Sequence, residues 1–302
     1  MKRSMLALIA IATATAPCNA WWHSSHVVIT RAALQRTPEL PEFVRDEAGL
    51  LINVLADPDL TRNDAIPLAK AFESPEHYIN IERLNGRALP ETRYAYIKLC
   101  YELGIEPQSV GFVPYTVAEL TERLTLAFAE HRRLPDNVHI RSKCLMLAGL
   151  LAHYAQDMTQ PLHLTVRHHG YKDETGQMVQ RDTHAKIDGF VPAVKMTVDQ
   201  VLEGGWSVEP VDSLMGAIVG HIEEGFALVD LAYELGPRMP TPPSIEHPDV
   251  EWDRDEDAMA FGQERAREAA RFTGSLWLTA WVYSAHLELP DFYDHNRAAE
   301  LK

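Results

Sequence analysis

Cysteine is scarce in this sequence, with only Cys18, Cys100 and Cys144 among 302 residues. That count excludes a fold stapled by many disulfides. Long apolar runs are missing as well. Beyond residue 20 the longest, Cys144 to Ala152, is broken by His153 and Asp157, so no integral membrane anchor is expected. Positive charge is also in short supply: 28 Lys and Arg face 43 Asp and Glu, for a net charge of −15. Such acidity repels polyanions at long range and disfavours a duplex-DNA binder that neutralises many phosphates. It does not exclude an enzyme whose site carries its own cations, because bound metals are often the largest local charges. Convincing strand alternation and internal repeats are absent too.

The N-terminus carries a different pattern. Residues 1–20, MKRSMLALIAIATATAPCNA, have a basic start at Lys2 and Arg3 and a short apolar run from Met5 to Ala12. Cys18-Asn19-Ala20 offers small residues for a leader peptidase. The expectation is a signal peptide cleaved after Ala20 and a secreted or periplasmic protein beginning at Trp21. A lipoprotein anchor on Cys18 fits less well, with Pro17 directly before it. In an oxidising compartment Cys100 and Cys144 can form a disulfide, and two buried thiols account for them equally well.

Residues 21–302 read as one all-α domain, a helical bundle. Apolar residues at three- and four-residue spacing predict helices over 26–35, 41–55, 92–103, 117–133, 137–158, 183–202, 211–234 and 257–287. The segment 137–158 is the most apolar and should be central. Asp57-Pro58-Asp59 reads as a turn, 237–256 as a long connection, and 164–182 as a loop with room for one short hairpin.

The strongest chemical signal lies in LLAHYAQDMTQPLHL, residues 150–164. His153 and Asp157 are four apart and project from one helical face. Pro161 ends that helix and delivers His163 just beyond it. His184 and Asp188 repeat the spacing on another helix. Bundles build metal sites from inward His and carboxylates on several helices, and both are suitable zinc ligands. One such pair alone is weak evidence; two, with a third His, are stronger. Upstream, His26, Asp57, Asp59 and His77 are candidates. Taken singly, His77 reads first as a core or capping histidine, and the two aspartates as ordinary turn residues.

The ordered set resembles the zinc-dependent phospholipase C and S1/P1 nuclease superfamily. It consists of Trp21, His26, Asp59, His77-Tyr78, His153, Asp157, His163, His184 and Asp188. The resemblance covers residues 21 to about 190, and its H-x3-D-x2-Q-P-L-H core is specific. It implies a phospholipase C/P1 nuclease-like bundle with three zinc ions in a cleft. One ion would be held by His163, His184 and Asp188. A second would use Asp59, His77, His153 and Asp157. The third would use His26, Asp157 and the main-chain amine and carbonyl of Trp21, so that Asp157 bridges and the leader peptidase creates a ligand. Asp59 and Asp157 are the implied catalytic carboxylates. Asp59-Leu60-Thr61-Arg62 matches the nuclease branch's D-x-x-R, with Asp57 the runner-up and Asp64 third.

The activity implied is phosphodiester hydrolysis. The run H-x-K-x-D-x-F, His184 to Phe190, is similar to the bacterial phospholipase branch, with Asp in place of Glu. The spacings Trp21 to His26 and His163 to His184 are closer to the nuclease branch. A phospholipid substrate is placed first. The alternative is single-stranded nucleic acid stacked on an aromatic such as Tyr78. Arg167 and Lys172, in the long loop, are candidate contacts for a phosphate or headgroup. A non-catalytic metal-binding helical protein is the third reading. No obligate protein partner is evident.

Overall fold

The computed structural model describes residues 21–244, 249–291 and 293. The expected leader, residues 1–20 with Cys18, lies outside the described residues. Fifteen α-helices, several single 3-10 turns and one small hairpin make up the described chain. The first is α1, His23–Gln35. The helix expected over 41–55 divides at Glu47 into α2, Glu42–Asp46, and α3, Ala48–Val54. The expected turn at 57–59 closes into a short helix, α4, Asp57–Thr61, with Pro58 in its first turn, where no amide hydrogen is needed. Next come α5, Pro67–Glu73, and the 3-10 turns Ser74–His77 and Ile81–Leu84. The chain continues through α6, Arg93–Glu102, α7, Pro107–Val110, α8, Val113–Arg133, and α9, Val138–Met158.

The single helix expected over 183–202 is instead three: α10, Thr183–Asp188, α11, Phe190–Ala193, and α12, Val198–Leu202. Periodicity ran through this stretch, but the backbone does not. Pro192 cannot donate an amide hydrogen, and Lys195 takes a left-handed φ of 53°. Thr197 and Gln200 then start α12 with a capping box. The segment 211–234 likewise divides into α13, Leu214–Ala227, and α14, Val229–Leu235. The last long helix is α15, Glu256–Tyr283, capped by Asp255 and followed by the 3-10 turn Ser284–His286. Within the 164–182 loop β1, Tyr171–Lys172, pairs antiparallel with β2, Met178–Val179.

The core is one cluster running from Trp21 to Ala280. Helices α8 and α9 pack along each other, and α15 lies against α1, α8 and α9. Helix α9 is buried on every side from Leu151 to Met158, as its apolar composition predicts for a central helix. A Cβ on Gly149 would fall 2.5 Å from the Leu51 carbonyl oxygen, so only glycine lets α3 approach α9 this closely. Cys100 and Cys144 are both buried and both free thiols. No helix is long and apolar enough to cross a membrane, among the described residues.

Candidate metal centre

Helix α9 supplies the middle of the site. The four-residue step places His153 and Asp157 on one face, with His153 Nε2 3.3 Å from Asp157 Oδ2. Both side chains are fully buried. Helix α1 brings His26 alongside, stacked on the His153 ring at 4.4 Å between centroids. His26 Nε2 lies 3.4 Å from Asp157 Oδ1. On the other side His77 Nδ1 lies 3.0 Å from Asp157 Oδ2. The two oxygens of Asp157 therefore face different histidines.

The 3-10 turn carrying His77 is anchored from two directions. Arg93 donates to both oxygens of Glu76 at 2.9 Å, a bidentate pair. Ile79 donates its amide to the His163 carbonyl at 2.9 Å, tying this strand of chain to the turn after α9. Gly111, at φ 107°, passes so close that a Cβ there would overlap the Tyr78 carbonyl. His163 and the α10 pair His184 and Asp188 form a second cluster, with His184 Nε2 3.3 Å from Asp188 Oδ2. His163 Nε2 lies 4.0 Å from Asp188 Oδ1.

Three groups of side chains can thus hold metal ions here: His26, His153 and Asp157; Asp59, His77 and His153; His163, His184 and Asp188. The structure brings Asp59 to this site. Asp57 lies two residues earlier on α4 and belongs to none of these groups. Trp21 is fully buried, and its indole donates to the Gln156 carbonyl at 3.0 Å. The start of the described chain therefore sits beside the Gln156-Asp157 step.

Six buried atoms in these groups have no hydrogen-bond partner: His26 Nε2, His77 Nε2, His163 Nε2, His184 Nε2, Asp157 Oδ1 and Asp188 Oδ2. All but His77 Nε2, which lies against Glu73, face the centre. Unpaired buried polar atoms are costly, and here they converge. Electrostatics agrees. Burial and the neighbouring His153 push His26 down to about 3, so its ring is neutral. Burial also lowers His163 and, joined by surrounding histidines, lowers His184 further. Burial opposes charge on Asp157, yet His153, His77 and His163 hold its carboxyl well below the ordinary range. For Asp188 burial prevails and raises the carboxyl well above it. A buried carboxylate of that kind needs a cation to stay ionised. Neutral imidazoles beside carboxylates are the donor set that divalent transition metals accept, so the residues fit such an ion.

A fourth group, His221, Glu224 and Glu268, joins α13 to α15. There Glu268 already receives Arg271 at 2.6 Å, and its pair with His221 spans 3.2 Å. It is an ion-paired helix contact.

A cavity of about 120 Å³ opens at the second cluster, lined by Arg62, His77, Tyr78, His163, His168, His169 and His184 among others. Tyr78 is therefore at the cavity, with its hydroxyl donating to the Gln108 carbonyl at 2.8 Å. Arg167 and Lys172 do not line it. Arg167 pairs with Asp230 at 2.8 Å, and Lys172 is exposed on β1 opposite Met178.

Several side chains that build the site were not singled out from sequence. Gln156 accepts from His26 Nδ1 at 2.7 Å and donates to Thr30 at 2.8 Å. Gln160 donates to Asp188 Oδ1 at 2.8 Å. Glu73 lies 3.2 Å from His77 Nε2. Gln156 lies on α9 inside the quoted 150–164 segment, one residue before Asp157. Gln160, just past α9, is the Gln of the H-x3-D-x2-Q-P-L-H run, so the signal was present without a role attached to it. In comparisons with known proteins, no family model and no curated protein matches this chain.

Proposed function

We propose that this chain is an exported zinc-dependent phosphodiester hydrolase of the phospholipase C and S1/P1 nuclease type. The observation that carries the reading is Asp157, fully buried, with its two oxygens directed at separate histidines. A structural zinc site needs one closed shell of four ligands and no bridging carboxylate. In the proposed centre His163, His184 and Asp188 hold one ion, and Asp59, His77, His153 and Asp157 a second. His26, Asp157 and the amine and carbonyl of Trp21 hold the third. Bound zinc supplies Lewis acidity, which acidifies water and offsets charge on phosphate oxygens.

The chain's own residues supply the rest. Buried, neutral His26, His163 and His184 offer lone pairs without first losing a proton. Asp59 stands at the rim, its side chain 17% exposed and 3.3 Å from Arg62 Nη1. From there its carboxylate can orient a water and accept its proton. Arg62, on the cavity wall, meets the phosphate anion with a fixed positive charge.

Phospholipid is the substrate class placed first. Leu60, beside Asp59, is 65% exposed, and Leu68 and Phe72 on α5 are 89% and 70% exposed. Apolar side chains left in water on the helices that carry Asp59 and lead into His77 suit an apolar substrate. Single-stranded nucleic acid is the second reading, favoured by Tyr78 at the cavity.

The test is purified protein beginning at Trp21, assayed for zinc content and for hydrolysis of phosphatidylcholine and single-stranded DNA in parallel. About three zinc ions with faster lipid cleavage is expected. Release of nucleotides with no action on phospholipid reverses the substrate order. One tightly held zinc without turnover on either substrate supports a non-catalytic protein instead.

A further inference from the structure

Four of the five histidines at the centre present the same nitrogen to it. His26 Nδ1 donates to Gln156 Oε1 at 2.7 Å, and His153 Nδ1 to the Leu55 carbonyl at 2.9 Å. His163 Nδ1 donates to the His77 carbonyl at 2.8 Å, and His184 Nδ1 to the His168 carbonyl at 3.1 Å. A carbonyl oxygen only accepts, so each ring keeps a proton on Nδ1, and Nε2 is the nitrogen left to face a metal.

His77 is turned the other way. Its Nδ1 faces inward, 3.0 Å from Asp157 Oδ2 and 3.2 Å from His153 Nε2. Its Nε2 faces Glu73, with Oε1 at 3.2 Å. Glu73 ends α5 one helical turn before His77 and is buried. Its Oε1 also receives the hydroxyl of Tyr154, the α9 residue that follows His153. The carboxylate is thus pinned to the same helix that carries His153 and Asp157.

We propose that Glu73 is a positioning residue of the metal centre: its carboxylate, held by Tyr154, keeps the His77 proton on Nε2 and makes Nδ1 the ligand. The proposal rests on the metal-centre reading above. A carboxylate behind a ligating imidazole fixes the tautomer and ring orientation and raises ligand basicity. Carbonyl oxygens serve the other four rings. Only His77, which meets the metal through its other nitrogen, has a charged partner.

The experiment uses the full chain from Trp21, stripped of metal, as wild type, Glu73→Gln, Glu73→Leu and Tyr154→Phe. Zinc affinity is measured by competition with a chromophoric chelator, and assigned histidine tautomers by two-bond nitrogen–proton NMR after zinc is restored to each protein. In wild type, His77 should show the Nε2–H pattern and the other four the Nδ1–H pattern. Glu73→Leu should lose that His77 pattern and weaken one zinc by about 10- to 100-fold, with the other ions retained. Glu73→Gln, which keeps an acceptor, should retain the tautomer and lose less affinity. Tyr154→Phe should give a smaller loss of the same ion. A merely structural Glu73 would lower the melting temperature and weaken every zinc together without changing the tautomer, and that result overturns the proposal. So does wild-type zinc binding in Glu73→Leu, or an Nδ1–H pattern at His77 in wild type. Wild type that takes up no zinc removes the metal-centre reading itself, an outcome distinct from a loaded wild type with an unaffected variant.

Discussion

Replacing Asp157 by Asn is the sharpest perturbation of the centre, because one side chain touches histidines of two ligand groups. Asp157 touches His26 at 3.4 Å, His77 at 3.0 Å and His153 at 3.3 Å. It is absent from the third group, His163, His184 and Asp188. An amide is nearly the same size, so packing survives while the charge and one strong ligand atom are lost. Two of three zinc ions should leave and one should stay. An ion present at about 1,000 times its dissociation constant stabilises the fold by about 4 kcal/mol. Losing two at that excess removes about 8 kcal/mol. For a chain of this size roughly 2 °C is lost per kcal/mol, so melting should fall by about 15 °C. Turnover should vanish. The assay is metal content by atomic emission, with calorimetry at fixed free zinc and a chromogenic phosphodiester for turnover. Full zinc content with near-normal turnover would remove Asp157 from the centre. Loss of all three ions would show that the clusters are not separable as the geometry requires.

Two further predictions concern the chain start and acid. A single Met or Gly added before Trp21 should cost one zinc ion and most of the activity, because the ligating amine becomes an amide. Trp21→Phe, processed after Ala20, should keep its metal, and equal zinc and rate in the extended protein would place the ligand elsewhere. The metal-free protein should lose stability as pH falls from about 6.5 to about 3. Folded His26 resists protonation until about 3, whereas in the unfolded chain it binds a proton near 6.5. The unfolded state then holds more protons, so stability drops on acidification. Lowered His163 and His184 act in the same sense, and with His26 they outnumber Asp188, whose raised carboxyl gains stability on acidification. His77 is raised, because the Asp157 and Glu73 carboxylates beside it outweigh burial, and its stabilisation is already complete below 6.5. A melting temperature that is flat or rising from pH 6.5 to 4 would contradict this.

Much of the helical layout was legible because it is local. The three- and four-residue spacing of apolar side chains marks α8, α9 and α15, and the four-residue step of His153–Asp157 and His184–Asp188 already places each pair on one face. The breaks within 183–202 were not legible from periodicity, since the apolar pattern continues while Pro192 and the left-handed Lys195 interrupt the hydrogen-bonded backbone. Which aspartate of 57 and 59 meets the histidines depends on how α4 is laid against α9, and that packing brings Asp59 to His77 and His153. Arg167 and Lys172 shared a loop with His168 and His169, yet only the histidines reach the cavity, because Arg167 is drawn to Asp230 on α14. The same holds for Glu73. A glutamate four residues before a histidine is common on any helix. Only folding brings Tyr154 onto that carboxylate and Asp157 onto the far side of the ring. Spacing along one helix is set by covalent geometry and can be read from the chain. Which nitrogen of a ring faces a neighbour on another helix is set by packing between elements far apart in sequence, and only the tertiary structure decides it.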